Sequence, residues 1–211
     1  MVLAGVLFTL MLAFASPSPT SAVTSAPTPF ASPLHFDALV SAGHEGRPAS
    51  CARFPKHKCN LGATGEREWT PIVADEVARA LRAQGFTVAR EPADFEGTFE
   101  VKAAVFIHFD GSDTPCSTGA SIGYHDPGSA EAAREWRALY SRYFPYRFMP
   151  DNFTTNLRNY YGFRQVHASE GGLVIELGEV TCPAERQWLA SRLKWEGDLI
   201  AQFMSTLIRK E

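Results

Sequence analysis

The nine residues VKAAVFIHF (101–109) restrict the possible folds of this chain more than any other stretch. Almost every position is apolar, whereas a strand with one wet face would alternate apolar and polar residues. A strand of that kind is covered on both sides, as in the parallel sheets of α/β domains. Leu34 to Val40 and GLVIELG (172–178) are two more short apolar runs, and FTVAR (86–90) and GASIGYH (119–125) add two further strands. Helical patterns lie between them. EWTPIVADEVARALRAQGF (68–86) has Pro71 near its first turn, Val73, Val77 and Leu81 on one face, and Gly85 as its stop. Residues 129–143 form a second helix, and a third opens at Pro183 and runs to residue 208. The expected fold is α/β: one domain, a mostly parallel or mixed twisted sheet, and helices on both faces.

That domain is expected over residues 34–211. Ahead of it, residues 2–15 (VLAGVLFTLMLAFA) are a continuous apolar run, short for a membrane span and suited to a signal-peptide core. No Lys or Arg precedes Arg47, so the basic segment that usually opens such a signal is missing. Residues 1–15 therefore read as a signal peptide or an uncleaved N-terminal anchor. Residues 16–33, rich in Pro, Ser and Thr and without charge, read as a disordered tether. The net charge of −3 supplies no basic field for nucleic acid, and nothing beyond the N-terminal anchor suggests a membrane partner. Four cysteines, Cys51, Cys59, Cys116 and Cys182, fit an exported protein with two disulfides in one of three pairings. Cys51–Cys59 is the favoured local staple.

Ligands of α/β sheets bind at the carboxyl ends of the strands. Three polar residues fall there: His44 in SAGHEGRP (41–48), His108 ending AVFIH, and Glu176 inside LVIELG. A carboxylate within an apolar strand is costly unless it is paired or faces a metal. Glu68, opening the first helix, faces the same edge, and Glu66 in the same TGEREW segment competes with it. Two histidines and a carboxylate suit a catalytic Zn²⁺ with three protein ligands and one open position. A further carboxylate beside the metal can move a proton between water and a leaving amine.

Four ordered stretches, AGHEG, EWTPIVADEVARAL, AVFIHFD and LVIELGEVTCPAE, resemble the zinc-dependent N-acetylmuramoyl-L-alanine amidases of bacterial cell walls. GFRQVHASEGG resembles the segment before the last of them. The resemblance implies the hydrolase-like amidase fold and one zinc per chain held by His44, Glu68 and His108. It implies Glu176 as the catalytic carboxylate. Departures mark a divergent member: Ser41 stands where the family often has an acid, Glu45 replaces a glycine, Phe106 a serine and Asp110 an asparagine. EVTC (179–182) replaces Phe-x-x-Asn. Glu45 and Asp110, beside the expected ligands, are candidates for adjusting them.

The activity so implied is hydrolysis of the amide between N-acetylmuramic acid and L-alanine in peptidoglycan, by an exported, periplasmic or extracellular protein associated with the cell wall. A protein activator is a possible second partner. Arg147 and Arg158, in the aromatic segment 140–161, are candidates to line a substrate groove. A Cys116–Cys182 bridge would tie the loops after His108 and Glu176 together. Two other readings stay open: an inactive or inhibited amidase-like module that binds peptidoglycan, and a zinc carboxypeptidase. The second is disfavoured because Arg47, not Glu, stands three residues after His44.

Overall fold

A computed structural model describes residues 32–53 and 59–210. Five strands form one sheet in the order β2-β1-β3-β5-β4. They are β1 (Leu34–Ala42), β2 (Val88–Glu91), β3 (Phe99–Asp110), β4 (Ser121–Gly123) and β5 (Val166–Glu179). All pairings are parallel except β4 with β5, so the sheet is mixed, with one antiparallel edge strand. The expected signal or anchor (1–15) and nearly all of the tether (16–33) lie outside the described residues.

Long helices cover one face: α1 (Glu66–Ala83), α2 (Ser129–Tyr140) and α5 (Leu193–Ile208). Their buried stripes (Val73, Val77 and Leu81 from α1, Trp136 and Tyr140 from α2, Ile200 and Leu207 from α5) pack on Val40, Val105, Ile107, Leu173 and Ile175 of the strands. The short α4 (Pro183–Ala190) adds Leu189. Tyr140 is fully buried; its hydroxyl donates to the Leu177 carbonyl at 2.7 Å and lies 3.0 Å from Glu196 of α5. Burial raises the Glu196 carboxyl to about 8, so it stays protonated at neutral pH inside this layer.

The opposite face is closed differently. Leu39, Phe106 and Val174 meet Phe95, Leu157 of the four-residue α3 (Thr155–Arg158), and Tyr160 and Phe163 around a 3-10 turn at Tyr161–Arg164. Helical turns thus lie on both faces, but only one face carries long helices.

Three elements differ from expectation. The first helix begins at Glu66, two residues earlier than read. The strand read at 172–178 extends back to Val166, because its first half alternates buried and exposed residues on the open side of the sheet. The short β4 pairs only with Val174, Ile175 and Glu176 there. The expected C-terminal helix is split, since Arg192 leaves helical backbone space (φ −129°) between α4 and α5. Both disulfides are present: Cys51–Cys59, and Cys116–Cys182 spanning 66 residues.

Candidate metal and catalytic site

The strand order reverses between β1 and β3, because the chain leaves β1 for β2 on one side and returns to β3 on the other. Crevices in open α/β sheets form at such switch points, outside the carboxyl ends of the strands. His44 stands two residues past β1, and His108, two residues before the end of β3, lies opposite Glu176 in the register of β5. Side chains two apart in a strand share a face. His108 therefore lies on the face of Phe106, and Glu176 on that of Val174, the side covered by turns.

Glu66 completes the group. It is the first residue of α1, 3% exposed, and its Oε1 lies 3.2 Å from His44 Nε2 and 2.9 Å from His108 Nδ1. One ligand atom from each of the three lies within 4.8 Å of the others. Glu68 is not in this group, which corrects the expectation that it would serve. Two residues along a helix turn the side chain by about 200°, and Glu68 is 60% exposed beside Arg67. The error lay in helix register. With Gly65 at the cap in left-handed space (φ 94°), the helix starts early enough to aim Glu66 inward. Glu66 Oε2 also accepts the Ala63 N–H at 2.8 Å, and Thr70 of the same helix donates to the Gly43 carbonyl at 2.6 Å. These bonds tie the helix start to the His44 turn.

The backbone around His44 is shaped for close approach. His44 itself holds φ 61°, a left-handed conformation that costs a non-glycine residue about 1 kcal/mol or more. A Cβ on Gly43 would run into the His108 ring, and one on Gly62 would meet Glu66 and lie 2.7 Å from His44. Both positions need glycine for the imidazoles and carboxylate to meet.

Hydrogen bonds orient both rings. His44 Nδ1 donates to the Asn60 carbonyl at 2.8 Å, which leaves its Nε2 toward Glu66. Arg47 donates to the same carbonyl at 2.7 Å and is held by Asp94 through three further bonds. It is a support beside the histidine, not a ligand. His108 Nε2 lies 3.0 Å from the Tyr160 hydroxyl. With its one ring proton on Nδ1 and directed at the Asn60 carbonyl, a neutral His44 ring presents its Nε2 lone pair to a carboxylate oxygen 3.2 Å away. Two lone pairs face each other favourably only with a cation between them, a proton or a metal. The donor set, two imidazoles and a carboxylate, matches the three-ligand catalytic zinc sites, and a carbonyl behind a ligating histidine is their usual support. The residues fit the ion.

Burial raises Glu176 well above the carboxylate range, and the nearby Glu66 and Asp110 push it further; its Oε2 is buried without a partner. Burial would also raise Glu66, but the adjoining His108 and His44 rings outweigh it and lower the carboxyl. His108 is lowered by burial, against the pull of Glu66. A cavity of about 610 Å³ opens over this group, with Asp110, Asn156, Tyr160 and Arg164 among its walls.

The remaining expected residues are placed as follows. Asp110 lines the cavity, accepts the Gly111 N–H at 2.7 Å, and leaves Oδ2 buried and unpartnered; it bonds neither histidine. Glu45 turns away and pairs with Arg90 at 2.7 Å. Arg147 donates to the Ser117 carbonyl and Arg158 is exposed on α3; neither lines the cavity, whose arginines are Arg47 and Arg164. The expected groove pair thus lies outside this cavity. Asn60, Arg47, Asp94 and Tyr160 carried no local sequence signal, because each reaches the site only through tertiary packing.

No protein-family model matches the chain, nor does any curated protein sequence. Solved structures do match. The N-acetylmuramyl-L-alanine amidase Ami1 from Mycobacterium smegmatis superposes with a TM-score of 0.60 at 17% identity, over 81% of this chain and 95% of that one. The catalytic domain of an endolysin targeting Clostridia difficile gives 0.58 at 12%, over 82% and 98%. An N-acetylmuramoyl-L-alanine amidase from Clostridium difficile 630 gives 0.53 at 17%, over 83% and 95%. The chain shares the fold of these proteins, a single α/β domain with a mixed five-stranded sheet flanked by helices.

Proposed function

We propose that this chain is a zinc-dependent N-acetylmuramoyl-L-alanine amidase, which hydrolyses the amide between N-acetylmuramic acid and L-alanine of peptidoglycan. The observation that carries the reading is the meeting of His44, Glu66 and His108 beside the unpartnered Glu176 carboxyl, at the switch point of a fold found in solved amidases. His44, Glu66 and His108 would hold one zinc per chain. When bound, zinc supplies a Lewis acid that polarises a carbonyl and acidifies water.

Glu176 handles the proton. With a cation held by His44, Glu66 and His108 to offset the burial and acidic neighbours that raise it, Glu176 would take one from the attacking water as the new C–O bond forms, then deliver it to the alanine nitrogen as the C–N bond breaks. Its depth in the sheet keeps bulk water from competing at Oε2. Asn60 holds the His44 ring in place, and Asp110 edges the cavity where substrate would enter. An oxidising, extracytoplasmic location fits the two disulfides, and residues 1–15 would carry the chain there as a signal or anchor, with 16–33 as tether. No helix among the described residues is long and apolar enough to cross a membrane.

The test is mass spectrometry of peptidoglycan after incubation with the protein. Free stem peptides beginning at L-alanine, lost on chelation and restored by zinc, are expected. Glu176→Gln should keep its zinc and lose about 10²–10⁴-fold in turnover. Intact muropeptides from fully zinc-loaded protein would overturn the hydrolytic reading and leave a binding module or an inhibited state.

A further inference from the structure

A hydrogen-bond chain runs from His108 out of the cavity to the backbone of another loop. His108 Nε2 lies 3.0 Å from the Tyr160 hydroxyl, Tyr160 lies 3.2 Å from the Tyr161 hydroxyl, and Tyr161 bonds the Ala93 carbonyl. Each tyrosine hydroxyl has one proton to give, whereas a carbonyl only accepts. That rule orients the whole chain. Tyr161 must donate to Ala93, so its oxygen accepts from Tyr160. Tyr160, its proton spent, must accept from His108.

The tyrosine chain thus favours the proton of a neutral His108 on Nε2, working against the pull of the Glu66 carboxylate, whose Oε1 lies 2.9 Å from Nδ1. The reverse orientation would set the Tyr160 and Tyr161 oxygens lone pair against lone pair. We infer that Tyr160 and Tyr161 are positioning residues: together they hold His108 in the tautomer that offers Nδ1 to a metal ion.

The two rings are fixed for this task. Tyr160 packs against Phe106 at 5.0 Å and against Tyr161 at 4.5 Å between ring centroids. Its contact with His108 is edge-on at 5.4 Å. The anchoring carbonyl is itself tied to the His44 loop, because Ala93 N–H donates to the Glu45 carbonyl at 3.3 Å. Both histidines thus show the cation site a lone pair, one set by the Asn60 carbonyl and one by the tyrosine pair. Partners of this kind behind a ligating histidine commonly change metal affinity by about 10–100-fold.

The inference rests on His108 being a metal ligand, and its test separates the two. Nitrogen NMR of the histidine-labelled, zinc-free full chain reads the His108 tautomer directly at about pH 8, where an ordinary imidazole is neutral. The wild type should show Nε2–H. Tyr160→Phe and Tyr161→Phe keep both rings and should shift His108 toward a mixture. The zinc Kd by chelator competition should rise about 10–100-fold for Tyr160→Phe, and less for the more remote Tyr161→Phe.

A wild-type Nδ1–H tautomer would overturn the inference. So would an unchanged tautomer and Kd in Tyr161→Phe, which would leave the tyrosines as packing alone. If zinc fails to bind but the tautomer follows Tyr161, the positioning role stands and the metal reading falls.

Discussion

The two faces of the sheet are closed by different means. On one, α1, α2 and α5 lay continuous apolar stripes over Val40, Ile107 and Ile175, burying Trp136 and Tyr140 completely. On the other, Phe95, Leu157, Tyr160 and Phe163, contributed by turns and a four-residue helix, cover Leu39, Phe106 and Val174. That cover stops short of the strand ends, and the gap is the cavity that holds His44, Glu66, His108 and Glu176. Regular helices seal a sheet along their length; turns seal it locally and leave room for polar chemistry. Stability should concentrate on the first face and chemistry on the second.

The largest effect should come from the cavity. Glu66→Gln removes the carboxylate between the histidines and should weaken zinc binding by about 10³-fold or more, whereas the exposed Glu68→Gln should stay within about 2-fold. Equal losses, read as metal content after dialysis, would erase the distinction drawn from helix register.

Trp136→Ala, under the long helices, should cost about 3–5 kcal/mol of stability in urea unfolding. Leu157→Ala, under the turns, should cost about 2 kcal/mol, since a site beneath a surface turn can collapse. Matching costs would mean that the two faces share stability evenly. A smaller effect is expected for Arg147→Ala and Arg158→Ala, which lie outside the cavity: turnover on peptidoglycan should fall less than about 2-fold. A larger loss would extend the substrate contact beyond the cavity walls.

The smallest effect at low pH belongs to the helical face. Glu196 titrates near 8 in the folded chain because of burial, and near 4.3 when unfolded. A raised folded value stabilises the fold below the unfolded pKa, and that contribution is lost as pH rises toward 8. Stability should therefore decline from about pH 5 to pH 8. Glu196→Gln cannot ionise; it should lie within about 1 kcal/mol of wild type at pH 5 and gain on it steadily toward pH 8. Parallel pH profiles from thermal melts would show that Glu196 is already ionised at neutral pH.

The helical face was the more legible in sequence. Val73, Val77 and Leu81 at helical spacing announce α1 and its buried stripe, and the apolar strands announce a two-sided sheet. His44, His108 and Glu176 were legible as well, because polar residues at the ends of buried strands are conspicuous. Glu66 was harder. Its identity as the inward carboxylate depends on where the helix begins, and a two-residue shift exchanges buried for exposed. The arginines that border the cavity were hidden for a related reason: the aromatic segment has no period, so nothing local separates Arg147 and Arg158 from Arg164.

By itself, the sequence determined the α/β class, the strand ends that carry both histidines and Glu176, and the cysteines for two bridges. These depend on local periodicity and on the cost of burying polar groups, which act over a few residues. Only the tertiary structure decided that Glu66 meets the histidines and that Asn60 and the Tyr160–Tyr161 pair orient the two imidazoles. Those choices depend on the distance and direction of hydrogen bonds between segments as far as 68 residues apart, and such directions exist only once the sheet and its two covers have closed.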